Sequence, residues 1–106
     1  MKLVMATAPK TVYSHITKDP EVCGGRACID GTRIRVVDIA CLQREGYAPE
    51  RMLEAYRSLN LAQIHAALSY YYEKPQEIED ALKEDREVAE KIERDRGDFL
   101  RRPSAP

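Results

Sequence analysis

The sequence has few of the features that mark membrane, secreted or disulfide-bonded proteins. No apolar run in its 106 residues is long enough to span a bilayer, and residues 1–8 lack the charged and apolar regions of a signal peptide. The three cysteines form no Cys-x-x-Cys pair, and an odd number suits a disulfide framework poorly. We therefore expect one small cytoplasmic domain, not bound to a membrane, whose thiols are reduced and partly buried.

Patterns for catalysis, metals and cofactors are also missing. The two histidines, His15 and His65, are far apart in the chain. Cys23 and Cys28 together with His15 match no common zinc spacing, and a Cys–His pair among them would lack an oxyanion site and an orienting carboxylate. The one glycine pair precedes a predicted strand instead of opening a helix, so it is no phosphate-binding loop. We expect no enzyme activity, no metal and no cofactor.

The charge is nearly balanced, which limits nucleic-acid binding. The formal net charge is −1. Residues 1–73 hold nine Lys and Arg against eight Asp and Glu, and residues 74–106 hold eight against ten, so the two parts carry +1 and −2. Affinity for nucleic acid depends largely on phosphate neutralisation, so a monomer would bind weakly and a dimer that aligned its arginines would bind better.

A turn dipeptide, Asp30-Gly31, lies between two segments of strand-forming residues. Such a dipeptide supplies the two positive-φ residues of a type I′ turn, which predicts a two-residue β-hairpin. The predicted pairs are Ile29 with Thr32, Cys28 with Arg33, Ala27 with Ile34, and Arg26 with Arg35. One face would then be apolar and the other rich in arginine, because side chains alternate along a strand.

The arginine face of this hairpin consists of Arg26, Arg33 and Arg35. Like charges placed across a hairpin destabilise it, so we expect an anionic group, either phosphate or acidic residues of a partner chain, to contact them. The alternative is an exposed face that only water covers.

The rest of the chain is predicted to be mainly helical. A strand over Thr11–Ile16 precedes the hairpin, and a first helix over Val36–Glu45 ends at Gly46. A second helix starts at Pro49 and runs to about Arg57, burying Met52, Leu53 and Tyr56. A third runs over Leu61–Glu73, with Asn60 as its N-cap and an apolar stripe of Ile64, Ala67, Leu68 and Tyr71.

The second and third predicted helices, joined by a short turn, have the outline of a helix-turn-helix. A plain three-helix packing unit is the alternative.

A charged fourth helix is predicted from Pro75 to Arg96, with Gly97 at its end. Its narrow apolar stripe would bury too little surface to fix it on its own domain, so we expect it to be detached from the core, in solvent or on a partner. The predicted organisation is therefore a flexible N-terminus (1–10), a strand, hairpin and three-helix domain (11–73), a charged helix (74–98) and a disordered tail (99–106).

Several motifs resemble a known family. They are Gly24-Gly25-Arg26, then Gly31-Thr32-Arg33-Ile34, then Glu45-Gly46-Tyr47-Ala48-Pro49-Glu50, then Tyr56 and Leu59, and finally Ala66-Ala67-Leu68-Ser69-Tyr70. Between about His15 and Tyr72 the chain resembles domain-of-unknown-function family 433, which comprises small prokaryotic proteins regarded as antitoxin-like and often paired with PIN-type nucleases. The resemblance implies a homeodomain-like helix-turn-helix with a toxin partner and operator DNA. The chain departs from the family at Ala27-Cys28, Arg57 and Ala62-Gln63.

Candidate binding residues follow from this organisation. On the third helix and near it, the residues expected to contact DNA are Gln63, His65, Ser69, Arg57 and Arg51, although solvated surface explains Gln63 and His65 equally well. The residues expected to bind a protein partner are Tyr72, Ile78, Leu82, Val88 and Ile92. A homodimer formed through the N-terminal strands would close an open sheet edge and bury Val12, Ile16, Ile29 and Ile34.

Two functions agree with these observations. The first is an antitoxin-like regulator that binds its operator through the helix-turn-helix and neutralises a nuclease through its C-terminal helix. The second is a homodimeric protein-interaction module that binds no DNA.

Overall fold

A computed structural model describes residues 13–101, in which four helices follow a short sheet. The elements are β1 (Ile16–Lys18), β2 (Ala27–Ile29), α1 (Val36–Arg44), α2 (Pro49–Ala55), α3 (Leu61–Glu73) and α4 (Pro75–Arg101). The prediction of a mainly α fold with short N-terminal strands is confirmed. The predicted flexible N-terminus (1–10) lies outside the described residues, as do positions 102–106 of the predicted tail.

The sheet differs from the prediction, because β2 pairs with β1 and not with the segment after the turn. The antiparallel register places Ile16 opposite Ile29, Thr17 opposite Cys28, and Lys18 opposite Ala27. The predicted strand at residues 11–16 is thus wrong within the described part. Tyr13–His15 form a turn, in which His15 has a φ of 69°, and the strand begins at Ile16.

The predicted two-residue hairpin is also wrong. Ile29 N–H donates to the carbonyl of Ile34 at 2.9 Å, and Cys28 is bridged to Arg35, which leaves a four-residue loop. The Thr32 hydroxyl stabilises this wider loop, because it donates to the Ile29 carbonyl at 2.8 Å and accepts from Ile34 N–H at 3.0 Å. Only Gly31 has positive φ there, at 79°, whereas a type I′ turn requires two such residues.

α1 begins and ends close to the predicted residues. Asp38 accepts a hydrogen bond from the Arg35 backbone N–H at 2.9 Å, and its carboxylate lies in the first turn, where the helix dipole favours it. Gly46 follows the helix with a φ of 94° and provides the left-handed residue that ends it. The buried face of α1 contains Val36, Val37, Ile39 and Ala40.

α2 and α3 show the predicted order of helix, short turn and helix. α2 ends at Ala55, two residues before the predicted end, and the turn spans residues 56–60. α3 has the predicted bounds because Asn60 forms a capping box with Gln63, in which each side chain accepts from the backbone N–H of the other at 2.8–2.9 Å. Tyr70 is buried at 2% exposure, whereas Tyr71, which was predicted in the stripe, is half-buried.

The core lies between the sheet and the helices α1, α2, α3 and the start of α4. Its fully buried members are Ile29, Val36, Ile39, Ala40, Met52, Ile64 and Ala67. Ile16 and Ile29 are buried by the chain's own helices, so their burial does not require pairing with strands of a second chain.

α4 has two halves with different surroundings, which corrects the prediction of a detached helix. Ile78 is 2% exposed, and Ala81 and Leu82 pack against the core. The helix then continues through Gly97 to Arg101, beyond the predicted end at Arg96. We call residues 86–101 the outward segment, since all of them except Gly97 are exposed. No helix in residues 13–101 combines the length and hydropathy that a membrane span needs.

Candidate functional site

Two of the three hairpin arginines contact carboxylates of the same chain. Arg26 binds Asp85 and also Glu84, the latter at 2.8 Å. Arg35 binds Asp38 at 2.8 Å and Asp85 at 3.1 Å. We call these five residues the arginine cluster. Asp85 lies on α4, so the cluster joins the start of that helix to the segment around β2.

The expectation that phosphate or a partner chain would neutralise these arginines is therefore wrong for Arg26 and Arg35. Asp38 is only three residues from Arg35, but Glu84 and Asp85 lie 50 to 59 residues away from the two arginines, so the local pattern did not reveal these partners on α4. The hydrogen bond to Asp38 raises the pKa of the Arg35 guanidinium above its ordinary value. Arg33 is exposed, and within residues 13–101 it forms no ion pair.

The cysteines lie near the arginine cluster. Cys28 is 1% exposed, and burial raises the pKa of its thiol to about 12. Cys23 is half-buried and its thiol donates to the Arg33 carbonyl at 3.3 Å. Within the described part of the chain, no group of three His, Cys, Asp or Glu side chains is arranged to hold a metal ion.

The residues predicted to contact DNA lie on or near the outer surface of α3. Gln63 is half-buried, and its side-chain oxygen is used in the capping box. His65 and Ser69 are exposed on α3, and Arg57 is exposed in the turn before it. Arg51 pairs with Glu54 at 3.5 Å and lies over the Tyr47 ring. α3 itself contains no lysine or arginine.

A groove lies between α3 and the loop that joins α1 to α2. It has a volume of about 790 Å³ and is lined by His65, Leu68, Ser69 and Tyr72 on one side and by Gln43, Tyr47 and Pro49 on the other. The Gln43 amide donates to the Tyr72 hydroxyl. The sequence predicted exposure of Tyr72, which is 60% exposed, but Gln43 and Tyr47 were not singled out.

The outward segment exposes large apolar side chains. Val88, Ile92, Phe99 and Leu100 are 57–67% exposed, and we call these four residues the outward stripe. Of the predicted partner-binding residues, Val88 and Ile92 thus lie on the surface, whereas Ile78 and Leu82 pack in the chain's own core. Sequence reasoning missed Phe99 and Leu100 because it ended the helix near Gly97. The spacing could have revealed Phe99, because it follows Ile92 by seven residues and so lies on the same side of a helix.

Of the comparisons with known proteins, the family match lies wholly before α4. A family model described as "Protein of unknown function (DUF433)" matches residues 16–71. The uncharacterized protein y4eO of Sinorhizobium fredii is 40% identical over 55 residues, which are 52% of this chain but only 25% of that protein. The crystal structure of a DUF433 member from Anabaena variabilis is similar, with a TM-score of 0.57 and 35% identity over 71% of this chain and 68% of the other. The chain belongs to the DUF433 family.

Proposed function

We propose that this protein is an antitoxin-like binding protein that holds a nuclease-type protein on the outward segment of α4. The observation that carries the proposal is the outward stripe, in which four large apolar side chains on one helix are more than half exposed. A contiguous exposed apolar surface with a polar surround is typical of a protein–protein interface. The resemblance to antitoxin-like proteins supplies the class of partner.

The form of the stripe fits one recognition mode. Val88, Ile92 and Phe99 are spaced by four and seven residues, so they project from one side of the helix. An amphipathic helix with such anchors binds in an apolar groove of its partner. Nothing in this mode requires catalytic residues of this chain.

Co-purification tests the proposal. The tagged full-length chain is co-expressed with a nuclease-type protein that is encoded beside its gene, and both nuclease activity and recovery on the tag are measured. We expect recovery and inhibition with the natural chain, loss of both with Ile92→Glu, and no loss with Arg94→Gln, which changes one charge on the opposite face. Equal recovery with Ile92→Glu would contradict the proposal, as would the absence of any nuclease-type neighbour that binds.

Binding of operator DNA is the second candidate function, and the exposed outer face of α3 after a short turn favours it. His65 and Ser69 would contact bases and Arg57 a phosphate. A mobility-shift assay with DNA upstream of the gene tests this, and we expect a salt-sensitive shift that Arg57→Glu weakens. Absence of any shift at low salt would favour the interaction module that binds no DNA.

A further inference from the structure

The stripe of α4 that packs on the core extends into the outward segment, with the charged side chains of Asp85 and Arg96 within its arc. At 3.6 residues per turn, Ile78 and Leu82 share an arc of about 120° with Val88, Ile92, Phe99 and Leu100. The first two contact the chain's own core, and the other four are exposed. The same face of one helix therefore has an intramolecular partner over its first three turns and, among residues 13–101, none over the rest.

The charges around the outward stripe cancel. Residues 86–101 carry five cations (Arg86, Lys91, Arg94, Arg96 and Arg101) and five carboxylates (Glu87, Glu90, Glu93, Asp95 and Asp98). Several of these pair along the helix, as Lys91 does with Asp95 at 2.7 Å. A neutral surface of mixed sign does not attract nucleic acid or a strongly charged protein. Such a surface suits a partner surface that is also apolar and surrounded by charges of both signs. A second copy of α4 supplies such a surface.

We infer that the outward segments of two copies pair with each other in antiparallel orientation. The direction follows from the position of the core, which lies on the stripe side of α4 at Ile78 and Leu82. In a parallel pair, the two cores would lie at the same end between the helices and would collide. In an antiparallel pair, they lie at opposite ends, and each core lies beyond the tip of the partner's helix.

The pairing is self-complementary. A two-fold axis near residue 94 places Val88 of each copy close to Leu100 of the other, and both copies bury the same surface. The overlap of 16 residues is about 24 Å long, which is short for a stable interface, so we expect a dimer at micromolar concentration. In the proposed function, the second copy covers the stripe until the nuclease-type protein replaces it. The self-pairing itself does not depend on that partner.

Light scattering of the purified full chain tests the pairing. At high micromolar concentration we expect a mass of twice 12.1 kDa, which falls to one chain on dilution. Ile92→Glu is expected to stay monomeric, and Arg94→Gln to remain dimeric as its matched control. Circular dichroism checks that Ile92→Glu is folded, and Phe99→Glu replaces it if it is not. A monomeric natural chain, or a dimer that neither Ile92→Glu nor Phe99→Glu weakens, would overturn the inference.

Disulfide trapping tests the direction. In a background with Cys23→Ser and Cys41→Ser, a chain with Val88→Cys is mixed with a chain carrying Leu100→Cys and then oxidised. We expect the mixture to form the cross-linked product and each chain alone to form little. Efficient cross-linking of Val88→Cys with itself would indicate a parallel pair and overturn the proposed geometry. Self-pairing without capture of the nuclease-type protein would refute the proposed function alone.

Discussion

At the scale of single residues, a partner far away in the sequence neutralises two arginines near β2. Arg26 and Arg35 were predicted to need an external anion, yet Asp85 of the same chain lies between them. The side chain of Asp85 is 38% exposed, so water screens the two ion pairs and reduces what they contribute. The arrangement connects α4 to the segment around β2.

Replacing Asp85 with asparagine is expected to weaken this connection. Both arginines lose a charged partner, so we expect the free energy of unfolding to fall by about 0.5–1 kcal/mol. Urea denaturation measures the change. Glu84→Gln is the control, because Glu84 is more exposed and pairs with one of the two arginines, Arg26, so its effect should be smaller. An equal effect of both substitutions would show that Asp85 has no special role.

The Cys28 thiol is expected to be unreactive in the folded protein. Burial raises its pKa to about 12, so it remains a protonated, inaccessible thiol at pH 8. Iodoacetamide followed by mass spectrometry should modify the half-buried Cys23 before Cys28, and urea should remove the difference. Modification of Cys28 at the rate of Cys23 would contradict its burial.

The same thiol makes the free energy of unfolding depend on pH in the alkaline range. Above about pH 9 the unfolded chain loses the Cys28 proton while the folded chain keeps it. The unfolded state therefore binds fewer protons, and the contribution of this group to the free energy of unfolding declines between about pH 9 and 12. A Cys28→Val variant, followed by urea denaturation over this range, should show a shallower decline.

At the scale of elements, local signals predicted the helix boundaries where side chains cap the backbone. α3 has its predicted bounds because Asn60 caps its start and Pro75 interrupts the chain after its end. α4 extends beyond its predicted end because a single glycine, Gly97, destabilises a helix by only about 1 kcal/mol. Asp98 also pairs with Arg101 in the turn that follows this glycine. β1 was misplaced because the turn at His15 has a positive φ that its sequence does not suggest.

The cap of α3 is open to a simple test. Asn60→Ala removes the acceptor for the Gln63 backbone N–H, so we expect a loss of about 1 kcal/mol in the free energy of unfolding. Asn60→Asp retains an acceptor and should cost much less. Thermal denaturation followed by circular dichroism measures both variants, and equal stability of Asn60→Ala and the natural chain would contradict the capping role.

Truncation separates the two halves of α4. A chain that ends at Glu87 keeps Ile78 and the arginine cluster, so it should fold as a monomer. A chain that ends at Lys74 loses the buried Ile78 and the partners of Arg26, Arg44 and Tyr70, so we expect it to be unfolded or strongly destabilised. Circular dichroism and urea denaturation distinguish the two. A stable chain ending at Lys74 would show that α4 is not part of the core.

At the scale of the whole molecule, the outward segment gives the chain an extended shape. The radius of gyration is 17.7 Å, against about 13 Å for a compact domain of 100 residues. The sequence predicted the mainly α architecture, the exposed Tyr72 and half of the outward stripe from periodicity. It could not predict that the first three turns of α4 join the core, because that depends on contacts with residues 50 or more positions away.

The central structural claim is that a second copy of the chain covers the outward segment of α4. Hydrogen–deuterium exchange of the full chain at low and high concentration tests it most directly. We predict slow exchange of the backbone amides of residues 78–85 at both concentrations, and slow exchange of residues 86–101 at high concentration only. Fast exchange of residues 86–101 at every concentration, or the same slow exchange at both, would contradict the claim.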